Sequence, residues 1–341
     1  MEDVARLAGV HQTTVSRALR NDRRVSPEVR ARVEAAAGKI GYRPNPLLAA
    51  LGTMRRQRAA TENQPTLAFI RQASPARGLV DGGHLPGARA AAAQRGYKLE
   101  EFVIDGDLHA RRLDTILKTR NIQGAILGPL PEAHGYFQLD WTQFSTVVIE
   151  YSFIEPAFDR VVTDSYNTMR LALAECRHRG FSRLGLALAQ VVDERNEGLL
   201  CAAYALAARR DPGLANIPPL ILPSWNEKTF AAWLKRNHPE VIISSNTLLP
   251  QIEQYLRTEG IRIPTDVGVI NLNVNPATQP HSGVCQDAHA IGAQAARLVI
   301  EKLNHNDRGV PASRMTILTD GRWHDGKTML AEKPGQHAGK M

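Results

Sequence analysis

The chain has 341 residues, 43% of them hydrophobic and 22% charged, the composition of an ordinary globular protein long enough for one small and one large domain. It contains no run of about 18 or more apolar residues, so no membrane span is expected, and the N-terminus enters a charged segment without a signal-peptide core. Its charge is concentrated: residues 1–60 hold 12 Lys and Arg against 5 Asp and Glu, a net +7 out of +8 for the whole chain. Phosphate binding demands a footprint of this kind, because affinity for duplex DNA comes largely from displaced counterions. On charge alone, a basic but merely solvated helical domain remains the alternative.

Three short helices are predicted first. One spans residues 2–8 and stops at Gly9; a second spans 12–20, with Val15 and Leu19 on one face and Gln12, Thr13, Ser16 and Arg17 on the other. The third opens at Ser26-Pro27-Glu28, an N-cap hydroxyl, a proline at the first helical position and a carboxylate in the first turn, and runs to about residue 40 before Gly41. Two helices joined by a glycine-containing turn, the second with polar outward residues, follow the helix-turn-helix plan. Residues 57–65 (QRAATENQP) are polar and read as a linker.

From Thr66 the texture changes. Strands are predicted at 66–70, 99–104, 124–128, 146–150, 161–163, 184–188, 220–222, 241–244, 267–272 and 314–318. Between them lie helices at 86–96, 108–119, 166–179, 195–210, 227–237, 249–259 and 288–303. This alternation predicts α/β architecture with parallel sheets, and the number of strands favours two doubly wound lobes with a ligand cleft at the C-terminal strand ends. Cys176, Cys201 and Cys285 are odd in number and far apart, so reduced thiols in a cytoplasmic protein are expected, without disulfides or zinc. The histidines, among them His84, His109, His134 and His178, are scattered, and neither a metal site nor a cofactor is expected. No GxSxG, P-loop, post-strand GxGxxG or HExxH pattern is present, which leaves an enzyme without a motif.

DVARLAGV, TTVSRAL and VSPEVRARVEAAAGKIGYRPN, in that order, are very similar to the headpiece of the lactose-repressor (LacI/GalR) family of bacterial transcription regulators. Further on, VVTDSYN, ERNEG, IRIPTDVGVI and VCQD resemble the family's second-lobe opening, its Arg-x-x-Gly helix start, its approach to a late strand and its inter-lobe crossover, so the resemblance covers about residues 2–320. It implies a helix-turn-helix headpiece on a periplasmic-binding-protein-like core that dimerises, binds a palindromic DNA operator and takes a small effector, usually a sugar or nucleobase. The corresponding division is headpiece 1–44, hinge helix and linker 45–65, core 66–325 and tail 326–341. Within the core the first lobe is expected at about 66–161 and 287–313, the second at about 162–284 and 314–325.

Carried over by position, Gln12, Thr13 and Arg17 fall at base-reading places, and their chemistry suits adenine, the thymine methyl and guanine. Thr14, Ser16, Tyr42 and Asn45 resemble phosphate contacts, with ordinary solvated helix polar groups as the alternative for Thr14 and Ser16. Leu51, in the hinge match NPLLAALG, holds the place of a leucine that wedges into the minor groove. The effector positions implied are Glu150, Asp164, Arg195, Trp225, Asn246, Asn273 and Gln286.

Departures matter too. Many sugar-responsive relatives have Asn-Asp where this chain has Asn246-Thr247, and Asp-Asp where it has Asn273-Val274, so an anionic ligand, a more hydrophobic one, or none stays open beside a sugar. Relatives cap the first helix with Thr or Ser where Met1-Glu2 stand, leaving either a start a few codons upstream or a frayed first turn. The tail lacks the leucine heptads of tetrameric relatives, and a dimer is expected. The alternative function is a solute-binding protein of the same two-lobed fold, against which the fused headpiece argues.

Overall fold

The computed structural model describes residues 1–19, 22, 24–42, 64–73, 83–105, 107–136 and 138–333. The headpiece comprises α1 (Glu2–Ala8), α2 (Gln12–Ala18) and α3 (Pro27–Lys39). Val4, Val15, Ala18, Val33 and Ala36 bury their side chains in a small common core. Each buried valine there contributes about 1.5–2 kcal/mol, which short helices need because alone they are marginal. Leu19, Val29 and Tyr42 cover the edges of that core.

Two six-stranded sheets follow. The first uses β1 (Thr66–Gln72), β2 (Lys98–Ile104), β3 (Gly124–Leu127), β4 (Ser145–Ile149), β5 (Asp159–Thr163) and β11 (Thr316–Thr319), in the order β11-β5-β4-β3-β1-β2 and parallel throughout. The second uses β6 (Leu184–Ala189), β7 (Leu220–Leu222), β8 (Val241–Ser244), β9 (Gly268–Asn271), β10 (Ser282–Cys285) and β12 (Arg322–His324), in the order β12-β10-β9-β8-β6-β7. All its pairings are parallel except β12 against β10, where the returning chain runs backwards along the edge.

The helices are α4 (His84–Ala93), α5 (Asp107–Thr119), α6 (Ser165–His178), α7 (Gln190–Arg195), α8 (Leu199–Arg210), α9 (Glu227–Asn237), α10 (Leu249–Thr258) and α11 (Ala288–His305). Central strands such as GAIL, STVVI and LGLALA are buried along their whole length, as parallel strands covered on both faces must be. Helices α4 and α11 cover one face of the first sheet and α5 the other. They approach each other through reciprocal glycines: a Cβ on Gly87 meets His289 O at 1.9 Å, and one on Gly292 meets His84 O at 1.9 Å. No helix among the described residues is long and apolar enough to cross a membrane.

Three features differ from the sequence expectation. The helix foreseen at 195–210 begins only at Leu199 (α8); a short helix that was not foreseen, α7, ends at Arg195, and the turn between them has Glu197 (φ 53°) and Gly198 (φ 70°) left-handed. Thr316–Thr319 pairs with β5 and completes the first sheet, whereas residues 314–325 were assigned to the second lobe; of that stretch β12 alone joins the second sheet. Strands β10 and β12 were not foreseen, because SGVC and RWH are too short and mixed to show a period.

Candidate functional site

The headpiece displays one helix for contact. Gly9 (φ 63°) ends α1 in the left-handed conformation, and His11 caps α2, its Nδ1 accepting from Thr13 N–H at 3.3 Å. The same nitrogen lies 3.0 Å from Thr13 Oγ1. With Val15 and Ala18 buried, α2 leaves Gln12, Thr13 and Arg17 exposed and Thr14 and Ser16 half-buried. Asp22 ties the approach to α3: its backbone carbonyl accepts from Arg30 Nη2 at 3.1 Å, and its carboxylate pairs with Arg24 at 2.6 Å. The Arg24 hydrogen bond holds the Asp22 carboxyl down at about 2. Ser26 Oγ accepts from Val29 N–H at 3.4 Å, with Pro27 and Glu28 in the first turn, the capping read from sequence. Tyr42 is half-buried against the headpiece core; Asn45 and Leu51 lie outside the described residues.

The second candidate site is a cavity between the lobes that offers about 150 Å³ to the centres of water-sized molecules. The first lobe contributes His84 at the start of α4, Pro129 after β3, Glu150 after β4 and Thr163 at the end of β5. From the second lobe come Arg195 at the end of α7 and Asn196 just after it, Ser245, Asn246 and Thr247 after β8, Asn273 after β9 and Gln286 after β10. These are the C-terminal ends of parallel strands, where open α/β sheets form crevices. Glu150, itself left-handed (φ 63°), accepts from Thr163 Oγ at 2.8 Å and from Thr163 N–H at 3.2 Å.

Burial in the cavity walls moves the titrations of its charged groups. Burial pushes the Glu150 carboxyl up, opposed by the Thr163 hydrogen bonds and by Arg195. It also lowers Arg195, against the pull of Glu150. Burial and then the Arg195 charge press the His84 imidazole down to about 4, so that ring is neutral at pH 7. Among the buried polar atoms on the walls, His84 Nδ1, Ser245 Oγ and Thr247 Oγ1 have no hydrogen-bond partner among the described residues.

Of the seven effector positions carried over from the family pattern, the cavity gathers Glu150, Arg195, Asn246, Asn273 and Gln286. Two are elsewhere. Asp164 caps α6, its Oδ1 accepting from Asn167 N–H at 2.8 Å, so its carboxylate is engaged in starting the helix. Trp225, just ahead of the Asn226 cap of α9, packs half-buried against the second-lobe core with its ring centroid 5.1 Å from that of Phe230. His84, Ser245 and Thr247 were not anticipated; the one sequence sign was the Thr that replaces a carboxylate after Asn246.

Residues 1–45 match the model for bacterial regulatory proteins of the lacI family, and residues 173–328 match the periplasmic binding protein-like domain. The chain is 25% identical over 329 residues to the HTH-type transcriptional regulator PtxS of Pseudomonas plecoglossicida, covering 93% of this chain and 92% of that protein. It is 25% identical over 321 residues to the ribose operon repressor of Escherichia coli (strain K12), covering 89% of this chain and 92% of the relative. In fold it resembles the Lac repressor dimer bound to operator and the anti-inducer ONPF, with a TM-score of 0.58 at 17% identity over 96% of this chain and 98% of that one. The transcriptional regulator CelR–cellobiose complex gives a TM-score of 0.57 at 19% identity, over 96% of this chain and 98% of that one. The chain thus joins a lacI-type helix-turn-helix domain at residues 1–45 to a periplasmic-binding-protein-like domain, the two parts of a lacI-type regulator, and its relatives are transcriptional regulators rather than enzymes.

Proposed function

We propose that the chain is a cytoplasmic transcriptional repressor that binds a palindromic operator as a homodimer and answers to a small molecule in the inter-lobe cleft. The observation that carries the DNA reading is α2: its apolar face is buried in the headpiece while Gln12, Thr13 and Arg17 project from a helix N-terminally fixed by His11. Such a helix fits the major groove, with Gln12, Thr13 and Arg17 on base edges and Thr14, Ser16, Tyr42 and Asn45 on phosphates. In this reading residues 1–44 grip DNA and residues 45–65 form the hinge, Leu51 wedging into the minor groove at the operator centre. Residues 66–325 pair the two copies and hold the effector, and 326–341 form a tail. A two-fold dimer presents two such helices, hence the palindrome.

The cleft supports the regulatory half. Its lining comes from both lobes, so an occupant with different affinity for two lobe arrangements biases the pairing of headpieces. The test is a randomised-site selection with the full chain, followed by salt titration on the enriched duplex. A palindrome, a steep fall of affinity with salt, and altered base preference on exchanging Gln12 or Thr13 are expected. Leu51→Ala is expected to weaken enriched over random duplex. A monomer in sedimentation that enriches no sequence refutes the reading.

A further inference from the structure

Away from the cleft, the second lobe carries a groove of about 390 Å³ between α6 and α8. Two stripes at helical spacing build it. On α6, Arg170, Leu173, Ala174 and Arg177 share one face; on α8, Ala203, Leu206, Ala207 and Arg210 do. Arg177 Nε pairs with Asp211, the residue after α8, at 2.8 Å, so the two helices lie with their C-terminal ends together. Leu173 and Ala203 are buried, Leu206 and Ala207 half-buried, and Ala174 exposed, which makes an apolar floor open to solvent. Its three alanines leave room for another backbone to come close. Tyr166, 41% exposed, stands in the first turn of α6 at the other end of the groove. From there to Arg177 the stripe runs about 16 Å, roughly three helical turns.

The rim of this groove is positive. Arg177 is answered by Asp211, the one acid among the described lining residues. Arg170 donates to the neutral Asn167 Oδ1 at 2.6 and 3.0 Å, and the exposed Arg210 has no ion pair among the described residues. An apolar strip with two uncompensated guanidinium groups on its border fits an occupant that is apolar in the middle and acidic at the edge. A second copy seated face to face sets these arginines against each other. The tail begins beside α6, where Lys333 N–H donates to Arg179 O at 2.9 Å, but residues 334–341 hold Lys340 and no Asp or Glu. The hinge and linker, residues 43–63, hold four Arg against one Glu. Both segments have the wrong sign.

We propose that the groove between α6 and α8 docks a helix of a partner protein, apolar along one face and flanked there by Asp and Glu. Its apolar residues at i, i+3, i+4 and i+7 lie on the alanine-lined floor, and its carboxylates reach Arg170 and Arg210. No residue of the groove lines the inter-lobe cleft or belongs to the headpiece, so such a partner addresses the second lobe while both of those surfaces stay free.

The test selects peptides of about 16 residues, enough for a helix spanning the stripe, from a displayed random library on the immobilised full chain. Every peptide also retained by the Ala174→Glu variant is discarded, which removes those that merely bind the basic headpiece. Ala174 is exposed, so the variant is expected to keep its fold, as circular dichroism verifies. Should it not, the Arg170→Glu/Arg210→Glu double variant does the discarding. Surviving peptides are expected to carry the apolar i, i+3, i+4, i+7 pattern beside Asp and Glu. In fluorescence anisotropy the double variant should bind them roughly 10-fold more weakly and prefer copies in which Lys replaces the acids. Ala202→Glu, exposed on α8 outside the groove, should leave binding unchanged. No surviving peptide overturns the proposal, as do survivors without acids or survivors indifferent to the double charge reversal. Thermal unfolding with dodecanoate separates the small-molecule case: a Tm rise that Ala174→Glu abolishes, with no surviving peptide, replaces the helix by a small amphiphile. Sedimentation in which Ala174→Glu lowers the assembly state replaces it by a second copy of the chain.

Discussion

His84 makes the chain acid-sensitive by an amount that can be worked out. Its pKa is lowered from 6.5 to about 4, first by burial and then by Arg195, and its Nδ1 has no partner among the described residues. The folded state therefore keeps the ring neutral, while the unfolded chain takes up a proton below about 6.5. The stability that this represents is present above pH 6.5 and is lost as pH falls towards 4. At about 1.4 kcal/mol per unit, its loss amounts to roughly 3 kcal/mol. His84→Asn removes the titration and leaves the other acid-sensitive groups in place, so the difference between the two proteins isolates the imidazole. Urea unfolding from pH 7.5 to pH 4.5 reads that difference. The native chain should lose roughly 2–3 kcal/mol relative to the variant across this range. Parallel pH profiles refute the reasoning, as does an imidazole that titrates near 6.5 by NMR in the folded protein.

Two further outcomes concern the first lobe. Lys302, 5% exposed, donates to Asp159 at 2.7 Å and to Asp307 at 2.6 Å, while Asp159 also accepts from Met315 N–H at 2.8 Å. Lys302→Met strands the buried Asp159 carboxylate and should cost about 3–5 kcal/mol in chemical denaturation, much of it recovered by adding Asp159→Asn. Equal loss in the single and double variants counts against the stranded charge as the cause. Gly292→Ala places a Cβ 1.9 Å from His84 O, so α4 and α11 must move apart by more than 1 Å. About 2–3 kcal/mol of stability should go with them. Because His84 rides on the first turn of α4, ligand-induced thermal shifts should shrink as well; an unchanged Tm disposes of the close-packed crossing.

The headpiece was legible because its signals are local. Ser26, Pro27 and Glu28 announce α3 within three residues, and Val15 marks the inward face of α2. The histidine cap of α2 escaped notice, since His11 is not among the usual capping residues. Buried parallel strands were readable as apolar runs, and their boundaries shifted by only a residue or two. The late start of α8 was missed because Asn196 and Glu197 look like a first helical turn while the backbone of Glu197 and Gly198 is left-handed. The cleft was legible only in part. Its residues come from the ends of strands far apart in sequence, so no local period marks Ser245 or His84, and Asp164 and Trp225 carry ligand-like chemistry that the fold uses for a cap and a core contact.

The exchange of strands at the end of the core bears on how the protein is made. β11 edges the first sheet and β12 the second, and each follows nearly all other elements in chain order. During synthesis the headpiece leaves the ribosome ahead of both lobes and can fold from its own contacts. Both lobes meanwhile wait with an unpaired border, β5 in one and β10 in the other, until the last segments are delivered. A nascent or prematurely stopped chain thus carries a finished headpiece on an unfinished two-lobed core, with two raw sheet edges inviting misassembly.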